Sequence, residues 1–247
     1  MASKFYAIIA GVGAGTGRSV ALRFAQSYPV VLLARNPSNY TDIVTEIKSS
    51  GGHAIGISAD TSDLASVSAA FEKIKKELPE KNLAAAIYNV GGTFTVKPFL
   101  EQSTSDLSSS LGSNAHGLFN FAQATLPSLL ASVQQSPPHP PTLIITGATA
   151  SIRGSARFSS FAAGKFAVRG LGQSLAREFG PQGVHVAHVI VDGVIDIPRT
   201  RGYTANDGKE DGKISPEAIA DSYWHLHTQH RSSFTQELDL RPYVEKF

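Results

Sequence analysis

The sequence predicts an α/β fold: a single doubly wound domain with a seven-stranded parallel sheet flanked by helices. Three observations lead to this prediction. Short apolar runs alternate with longer segments of helical spacing throughout the chain. Most of the apolar runs are apolar on both faces, which is typical of strands covered by helices on both sides. The length of 247 residues and the hydrophobic content of 42% suit one compact domain with a full core.

Seven runs are predicted as strands. They cover residues 4–11, 28–35, 53–60, 83–91, 141–148, 184–193 and, more weakly, 233–240. Six segments between them have the spacing of amphipathic helices. They cover residues 16–27, 40–50, 63–78, 103–134, 159–180 and 216–229. Strand and helix alternating in this way imply right-handed β–α–β crossovers, and therefore a parallel sheet.

Residues 1–247 are predicted to form one domain, although two segments interrupt the alternation. The proline cluster at 137–141 is interpreted as a loop and not as a linker, because the strand that follows it continues the same alternation. The segment 196–215 is polar, rich in glycine and about twenty residues long. Long segments of this kind in a compact domain are usually lids, so we expect it to cover the substrate.

Composition and charge exclude several function classes. The net charge is only +2, which argues against a protein that binds nucleic acid or a membrane surface through bulk electrostatics. The absence of cysteine removes disulfides, thiolate metal sites and cysteine nucleophiles. No metal site is expected, because His225 and His227 point to different helix faces and have no suitably spaced acidic partner. No apolar run reaches the roughly 18–20 residues of a membrane span. A cytoplasmic protein is expected.

A glycine-rich turn follows the first predicted strand. The run GVGAGTGRSVA (11–21) fits the pattern G-x-x-x-G-x-G on Gly11, Gly15 and Gly17, whereas Thr16 stands where the last glycine of G-x-G-x-x-G would be. Glycines permit the tight turn and the close approach of the backbone, and the helix N-terminus that follows faces a pyrophosphate. This position in the first β–α–β unit predicts dinucleotide binding by a Rossmann-type domain.

The end of the second predicted strand indicates which dinucleotide binds. An acidic residue at this position would contact the ribose 2′-hydroxyl of NAD. The sequence instead has Arg35, followed by Asn36, and Arg18 lies just after the last glycine of the turn. Because cations suit a 2′-phosphate, the predicted cofactor is NADP(H).

These features and several further motifs resemble the short-chain dehydrogenase/reductase family over essentially the whole chain. The motifs are AGVGAGTG (10–17), AD (59–60), YNVGG (88–92), Asn114 within SNAHGLF (113–119), and Lys165 in the helix after the fifth strand. The resemblance implies an oxidoreductase that binds a nicotinamide dinucleotide and acts on a small molecule. It also implies a homodimer or homotetramer formed through the helices predicted at 103–134 and 159–180.

The resemblance assigns cofactor contacts to residues after several strands. Asp60 is expected to meet the adenine amino group, and the turn from Asn89 to Gly91 is expected to lie against the adenosine ribose. Gly193 and Ile195 follow the sixth strand, where the backbone of Ile195 is expected to bind the carboxamide.

The catalytic pattern of the family is incomplete in this chain. The family has Tyr four residues before the Lys and Ser thirteen residues before that Tyr, but here these positions are Phe161 and Ala148. Of the four catalytic positions, only Asn114 and Lys165 keep the family's residue, and Lys165 is also expected to hold the nicotinamide ribose hydroxyls. A phenyl ring can neither donate a proton nor hold the substrate oxygen. General acid–base catalysis contributes about 10²–10⁴-fold to rate, so this loss is large.

Three hypotheses remain open from the sequence. The first is a reductase with a relocated proton donor, for which the candidates are Thr149, Ser151, His116 and Tyr203. The second is a reductase whose acceptor needs no proton from the protein, such as an iminium ion or a conjugated system protonated by water. An apolar wall that excludes water would suit hydride transfer to such an acceptor. The third is a nucleotide-binding sensor or scaffold without catalysis.

Overall fold

The computed structural model describes residues 3–92 and 94–246, in which the strands form one parallel sheet. The strands are β1 (Phe5–Ala10), β2 (Val30–Ala34), β3 (Ala54–Ser58), β4 (Asn82–Tyr88), β5 (Thr142–Thr146), β6 (His185–Val191) and β7 (Glu237–Leu240). Their spatial order is β3-β2-β1-β4-β5-β6-β7. The predicted seven-stranded, doubly wound fold is therefore confirmed, and each strand falls within or close to its predicted run.

Helices connect successive strands and cover both faces of the sheet. They are α1 (Thr16–Ala25), α2 (Thr41–Ser49), α3 (Leu64–Glu77), α4 (Thr104–Leu111), α5 (Gly117–Val133), α6 (Ser159–Phe179) and α7 (Pro216–His227). Side chains begin several of them: Asp63 accepts a hydrogen bond from the Ala65 amide at the start of α3. Within the described ranges, no helix combines the length and the apolar character needed to cross a membrane.

The strands separate two hydrophobic cores. On β1, Ala7 and Ile9 face the core that α1, α2 and α7 cover, whereas Ile8 and Ala10 face the core under α3, α5 and α6. All four side chains are fully buried. Burial on both faces explains why the strand segments are apolar without alternation. Because all seven strands are parallel, their carboxyl ends lie at one edge of the sheet, where ligands of such folds bind.

The helix predicted over 103–134 differs from the observed structure in its middle. A π-helical turn, Gly112–His116, separates α4 from α5. The buried Asn114 lies in this turn, and its side-chain amide donates to the Ser110 carbonyl at 2.9 Å. A side chain that bonds a carbonyl of the preceding turn opens the helix locally, and π-turns of this kind are frequent at functional sites.

Buried histidines lie at the opposite end of the sheet from the glycine-rich turn. His227 on α7 is fully buried and contacts the Tyr28 hydroxyl and the Thr142 hydroxyl, each at 3.0 Å. Burial, together with the charges of the neighbouring His139 and His185, lowers the pKa of His227 to about 3. In the described part of the chain, no three histidines or carboxylates are placed to hold a metal ion.

We expect this cluster to make the protein sensitive to acid. In the unfolded chain, His227 binds a proton below its ordinary pKa of about 6.5, but in the folded protein it does so only near pH 3. The free energy of unfolding therefore falls as the pH decreases through this window, by about 1.4 kcal/mol per pH unit for this group. Urea unfolding between pH 7 and pH 4.5 measures this slope.

The control separates this histidine from other titrating groups. His227→Gln should flatten the pH dependence, whereas the exposed His225→Gln on the same helix should leave it as in the wild type. Equal slopes in all three proteins would contradict the assignment to His227.

Candidate active site

The glycine-rich turn is packed tightly on one side and open on the other. Gly11 has φ of +84°, and a Cβ placed there would lie 2.4 Å from the Asn89 carbonyl oxygen. A Cβ on Gly17 would lie 2.7 Å from the Gly11 carbonyl oxygen, whereas a Cβ on Gly13 would meet nothing within 4 Å. The turn thus leaves open space beside Gly13, in the loop that leads to the first residue of α1, Thr16. This geometry fits a bound pyrophosphate.

A chain of hydrogen bonds fixes the turn to the ends of β4 and β5. The Asn89 side chain donates to the Gly11 carbonyl at 3.1 Å and accepts from the Thr146 hydroxyl at 3.1 Å. The buried Tyr223 hydroxyl bonds the same Thr146 hydroxyl at 2.6 Å. The Asn89 side chain therefore holds the glycine-rich turn in place, while Gly91 has open space around it.

The charged residues around the predicted adenosine site have different partners. Arg18 pairs with Glu46, so it is not the free cation that the sequence suggested. Arg35 is exposed, and within residues 3–92 and 94–246 no carboxylate lies within salt-bridge distance of it. Asp60 accepts two hydrogen bonds from Ser62, which lower the pKa of its carboxyl, and the charge of Arg35 lowers it further.

Lys165 and Asn114 come together behind the end of β5. The Lys165 side chain is 3% exposed and donates to the Thr146 carbonyl at 3.2 Å, and burial lowers its pKa to about 8. A Cβ on the preceding Gly164 would lie 2.9 Å from the Asn114 amide nitrogen. The Asn114 amide oxygen is buried and has no hydrogen-bond partner among the described residues. A buried acceptor without a partner and a buried ammonium on adjoining elements are each typical of a functional site.

The positions of the expected Tyr and Ser form an apolar cluster. Phe161 lies one helical turn before Lys165 and packs with Ala148, Ala150 and the neighbouring Phe158. Phe94 lies after β4 in the chain, and its ring contacts the Phe161 ring edge to face, with 5.1 Å between the centroids. The sequence did not predict that Phe94 and Phe158 would join this wall, because no motif assigns them a role and the contact depends on how the segment after β4 packs against the start of α6.

The candidate relocated donors lie in different environments. The Thr149 hydroxyl donates to the Asp192 carboxylate. Ser151 is fully buried, and its hydroxyl accepts from the Ala148 amide at 3.0 Å. His116 and Tyr203 are exposed. Of the four, Thr149 is the one that is half-buried directly beside the Ser position.

The residues after β6 make contacts that the sequence did not predict. Asp192 is 3% exposed, and its second carboxylate oxygen lies 3.2 Å from the Arg241 guanidinium beyond β7. Gly193 has φ of +155°, and a Cβ there would lie 2.8 Å from Pro242, so glycine is required. Ile195 bridges to Ile214 at the other end of the predicted lid. No motif indicates this contact, because the partner Arg241 lies 49 residues further along the chain from Asp192.

The predicted lid, 196–215, contains more local structure than its composition suggested. Short 3₁₀ turns occupy Pro198–Thr200 and Asn206–Gly208. The Asn206 side chain donates to the Gly212 carbonyl at 2.8 Å. The side chain of Ile197 lies against Gly15, since a Cβ on that glycine would be 2.8 Å from it. The predicted lid therefore reaches the glycine-rich turn.

We expect this segment to exchange its amide protons rapidly in the free protein and more slowly with NADPH. Most of its side chains are exposed, and its buried residues lie near the base, so local opening requires little free energy. Contact with a bound cofactor would restrict it through Ile197. Hydrogen exchange by mass spectrometry measures this, and peptides from α6 serve as the internal control. Strong protection of 196–215 without ligand would show that the segment is a fixed part of the domain.

Known proteins with similar sequence or fold fall into one class. The family model described as short chain dehydrogenase matches residues 6–207. The (-)-trans-carveol dehydrogenase of Rhodococcus erythropolis is 27% identical over 195 residues, which are 73% of this chain and 67% of that protein. The crystal structure of a short-chain dehydrogenase from Rhodopseudomonas palustris is 30% identical, with a TM-score of 0.77. It covers 96% of this chain and 99% of its own.

Two solved structures with lower identity share the fold. A metagenomic short-chain oxidoreductase in complex with NADP is 22% identical, with a TM-score of 0.79, and covers 98% of this chain and 99% of its own. An NADH-dependent reductase responsible for alginate metabolism is 18% identical, with a TM-score of 0.83, and covers 98% of this chain and 97% of its own. The family match agrees with the fold, the glycine-rich turn and the retained Asn114 and Lys165. This chain belongs to the short-chain dehydrogenase/reductase family.

Proposed function

We propose that the protein is an NADP(H)-dependent oxidoreductase whose acceptor needs no proton from a tyrosine. The observation that carries this proposal is the pairing of a retained Lys165–Asn114 unit with an apolar wall at Phe161 and Ala148. In the family, the lysine of this pair also holds the nicotinamide ribose, and the asparagine is one of the catalytic residues. Phe161 and Ala148 stand where the family has its proton donor and its oxygen-binding hydroxyl, so both groups are missing here.

The residues present fit a nicotinamide dinucleotide. The open side of the glycine turn and the N-terminus of α1 would hold the pyrophosphate, and the exposed Arg35 would pair with a 2′-phosphate. Asp60 and the backbone of Ile195 would hold the adenine and the carboxamide, as the family resemblance implies. When bound, NADPH supplies a hydride. Lys165 would hold the ribose hydroxyls and keep a positive charge next to them.

The apolar wall determines which acceptors can react. Phe161 is only 9% exposed and its neighbours Phe158 and Ala148 offer no side-chain donor. A simple ketone or aldehyde would develop negative charge on oxygen without stabilisation, and a missing donor of this kind lowers the rate about 10²–10³-fold. An iminium ion loses its charge on reduction, and a conjugated system can be protonated by water. These two classes suit the wall.

Turnover of NADPH with a panel of acceptors tests this proposal. The panel contains simple aldehydes and ketones, conjugated carbonyls and cyclic imines. We expect oxidation of NADPH with an imine or a conjugated compound, and little with simple carbonyls. Ordinary rates with simple carbonyls would overturn the proposal and indicate a relocated donor.

The second candidate function is a catalytically deficient NADP(H)-binding sensor or scaffold. The observation in its favour is that two of four catalytic positions are changed while the glycine-rich turn and Arg35 are kept. Tight binding of NADPH without oxidation in any arm of the panel would support it. Calorimetry with NADPH and NADH provides the binding measurement.

We further propose that the protein is a homodimer or homotetramer. Large apolar side chains are exposed on the helices that the sequence predicted to form the interface: Leu107 on α4, Phe119 on α5 and Phe166 on α6. Phe119 is half exposed. Light scattering measures the assembly. The cytoplasmic location remains an expectation from the sequence.

A further inference from the structure

Thr149 directly follows Ala148, which stands where the family has Ser, and the proton of its hydroxyl is already used in a hydrogen bond. The Thr149 hydroxyl donates to one oxygen of the Asp192 carboxylate, and the other oxygen of this carboxylate faces Arg241 at 3.2 Å. A carboxylate can only accept hydrogen bonds, so the Thr149 proton is committed to it. The Thr149 oxygen therefore offers only lone pairs to any other group.

This acceptor faces the same side of the sheet as the apolar wall. Alternate residues of β6 face opposite cores: Val184 and Val186 face the core under α6, whereas Val189 and Val191 face the other. The Asp192 amide continues the ladder to the Leu240 carbonyl, so its side chain points towards α6. Thr149 is half-buried and directly follows Ala148, which packs against Phe161.

The polarity of the site is therefore the reverse of what a carbonyl requires. A carbonyl oxygen needs hydrogen-bond donors as it gains electrons, but the Phe161 and Ala148 side chains provide none and Thr149 provides an acceptor. An acceptor oxygen instead suits a substrate atom that carries its own proton.

We propose that Thr149, held by Asp192, selects an iminium ion that has a hydrogen on nitrogen. This inference rests on the proposed function and narrows its substrate class. The N–H of the substrate donates to the Thr149 oxygen, and the cation lies near the ring faces of the aromatic wall. Asp192 and Asp239 both pair with Arg241, which fixes the carboxylate that holds Thr149.

The reaction balances without a proton from the protein. The iminium carbon accepts one hydride, and the π electrons of the C=N bond become the lone pair of nitrogen. The hydrogen already on nitrogen stays there. The products are a neutral amine and the oxidised dinucleotide.

The test compares two acceptors that differ only at nitrogen. They are the 3,4-dihydroisoquinolinium ion, which has an N–H, and its N-methyl analogue, which has none. We expect wild-type kcat/KM to favour the N–H ion at least about tenfold, since one charge-assisted hydrogen bond distinguishes them. Thr149→Val keeps the side-chain shape but removes the oxygen, and should abolish this preference. Thr149→Ser should restore most of it.

A binding measurement keeps the test independent of turnover. Calorimetry with the protonated 1,2,3,4-tetrahydroisoquinoline product analogue should show binding that weakens at least about fivefold in Thr149→Val and recovers in Thr149→Ser. Melting temperatures and NADPH affinity show that the variants fold.

The outcomes separate this inference from the proposed function. Equal turnover of the two iminium ions, or turnover of conjugated carbonyls alone, would overturn the role of Thr149 while leaving the proposed function in place. No turnover of any acceptor would overturn the proposed function. In that case, unchanged amine binding by Thr149→Val would overturn this inference as well, whereas weakened binding that Thr149→Ser restores would support it.

Discussion

The double variant Phe161→Tyr with Ala148→Ser is expected to gain reduction of simple aldehydes and ketones by at least about tenfold over the wild type. The two substitutions complete the family's four catalytic positions around the existing Asn114 and Lys165. A tyrosine at 161 would lie one helical turn before Lys165, so the buried ammonium would favour its ionised form and lower its pKa. The serine at 148 would supply the missing donor to the substrate oxygen.

Each substitution adds one hydroxyl to an existing side chain, so steric strain should be small. Phe161 is nearly buried, and a phenol left without a partner there would cost about 1–3 kcal/mol of stability. Ala148 is half-buried, and its added hydroxyl can reach solvent or substrate. Thermal melting of the double variant should therefore show a modest decrease and not a loss of folding.

The matched control is Phe158→Tyr, which adds the same phenol to a neighbouring ring of the wall. This residue is seven positions before Lys165 and not four, so no gain in carbonyl reduction is expected from it. Steady-state NADPH oxidation with a small aldehyde measures all variants. A double variant that folds and binds NADPH but gains nothing would show that the pocket is closed to simple carbonyls. That result would favour the cationic acceptor or the sensor.

The sequence could predict the fold because the information is local. The run at 5–10 is apolar on both faces, and its short length and the glycines that follow it indicate a covered strand and mark the start of α1. The π-turn at Asn114 could not be predicted, because it follows from a bond between that side chain and the Ser110 carbonyl within an otherwise regular helical pattern.

The site was predictable where a motif carries it and not where distant residues meet. Phe161 and Ala148 were found by their spacing from Lys165. The pairing of Arg18 with Glu46 joins α1 to α2, and the pairing of Asp192 with Arg241 joins the ends of β6 and β7. Spacing along the chain does not indicate such contacts, because they depend on how neighbouring elements pack.

Arg18 pairs with Glu46, whereas Arg35 has no such partner among the described residues, and this difference leads to the prediction on cofactor preference. We expect NADPH to bind appreciably more tightly than NADH, and Arg35→Asp to reverse this order. Arg35 is exposed after β2 and has no carboxylate within salt-bridge distance among the described residues, so its guanidinium is available to a 2′-phosphate. Nearby Asn36 carries no charge, and its side-chain oxygen accepts from the Ser38 amide at 3.1 Å.

A hydrogen bond to a charged group contributes about 1.5–3 kcal/mol, so loss of Arg35 should weaken NADPH binding about ten- to hundredfold. An aspartate at this position would repel the phosphate and accept a hydrogen bond from the ribose hydroxyl of NADH. Arg18→Gln is the matched control: this arginine is already paired with Glu46, so its loss should change the NADPH/NADH ratio much less. Fluorescence titration with both dinucleotides measures the ratio. Equal affinities in the wild type, or an equal effect of the two arginine variants, would show that Arg35 does not read the 2′-phosphate.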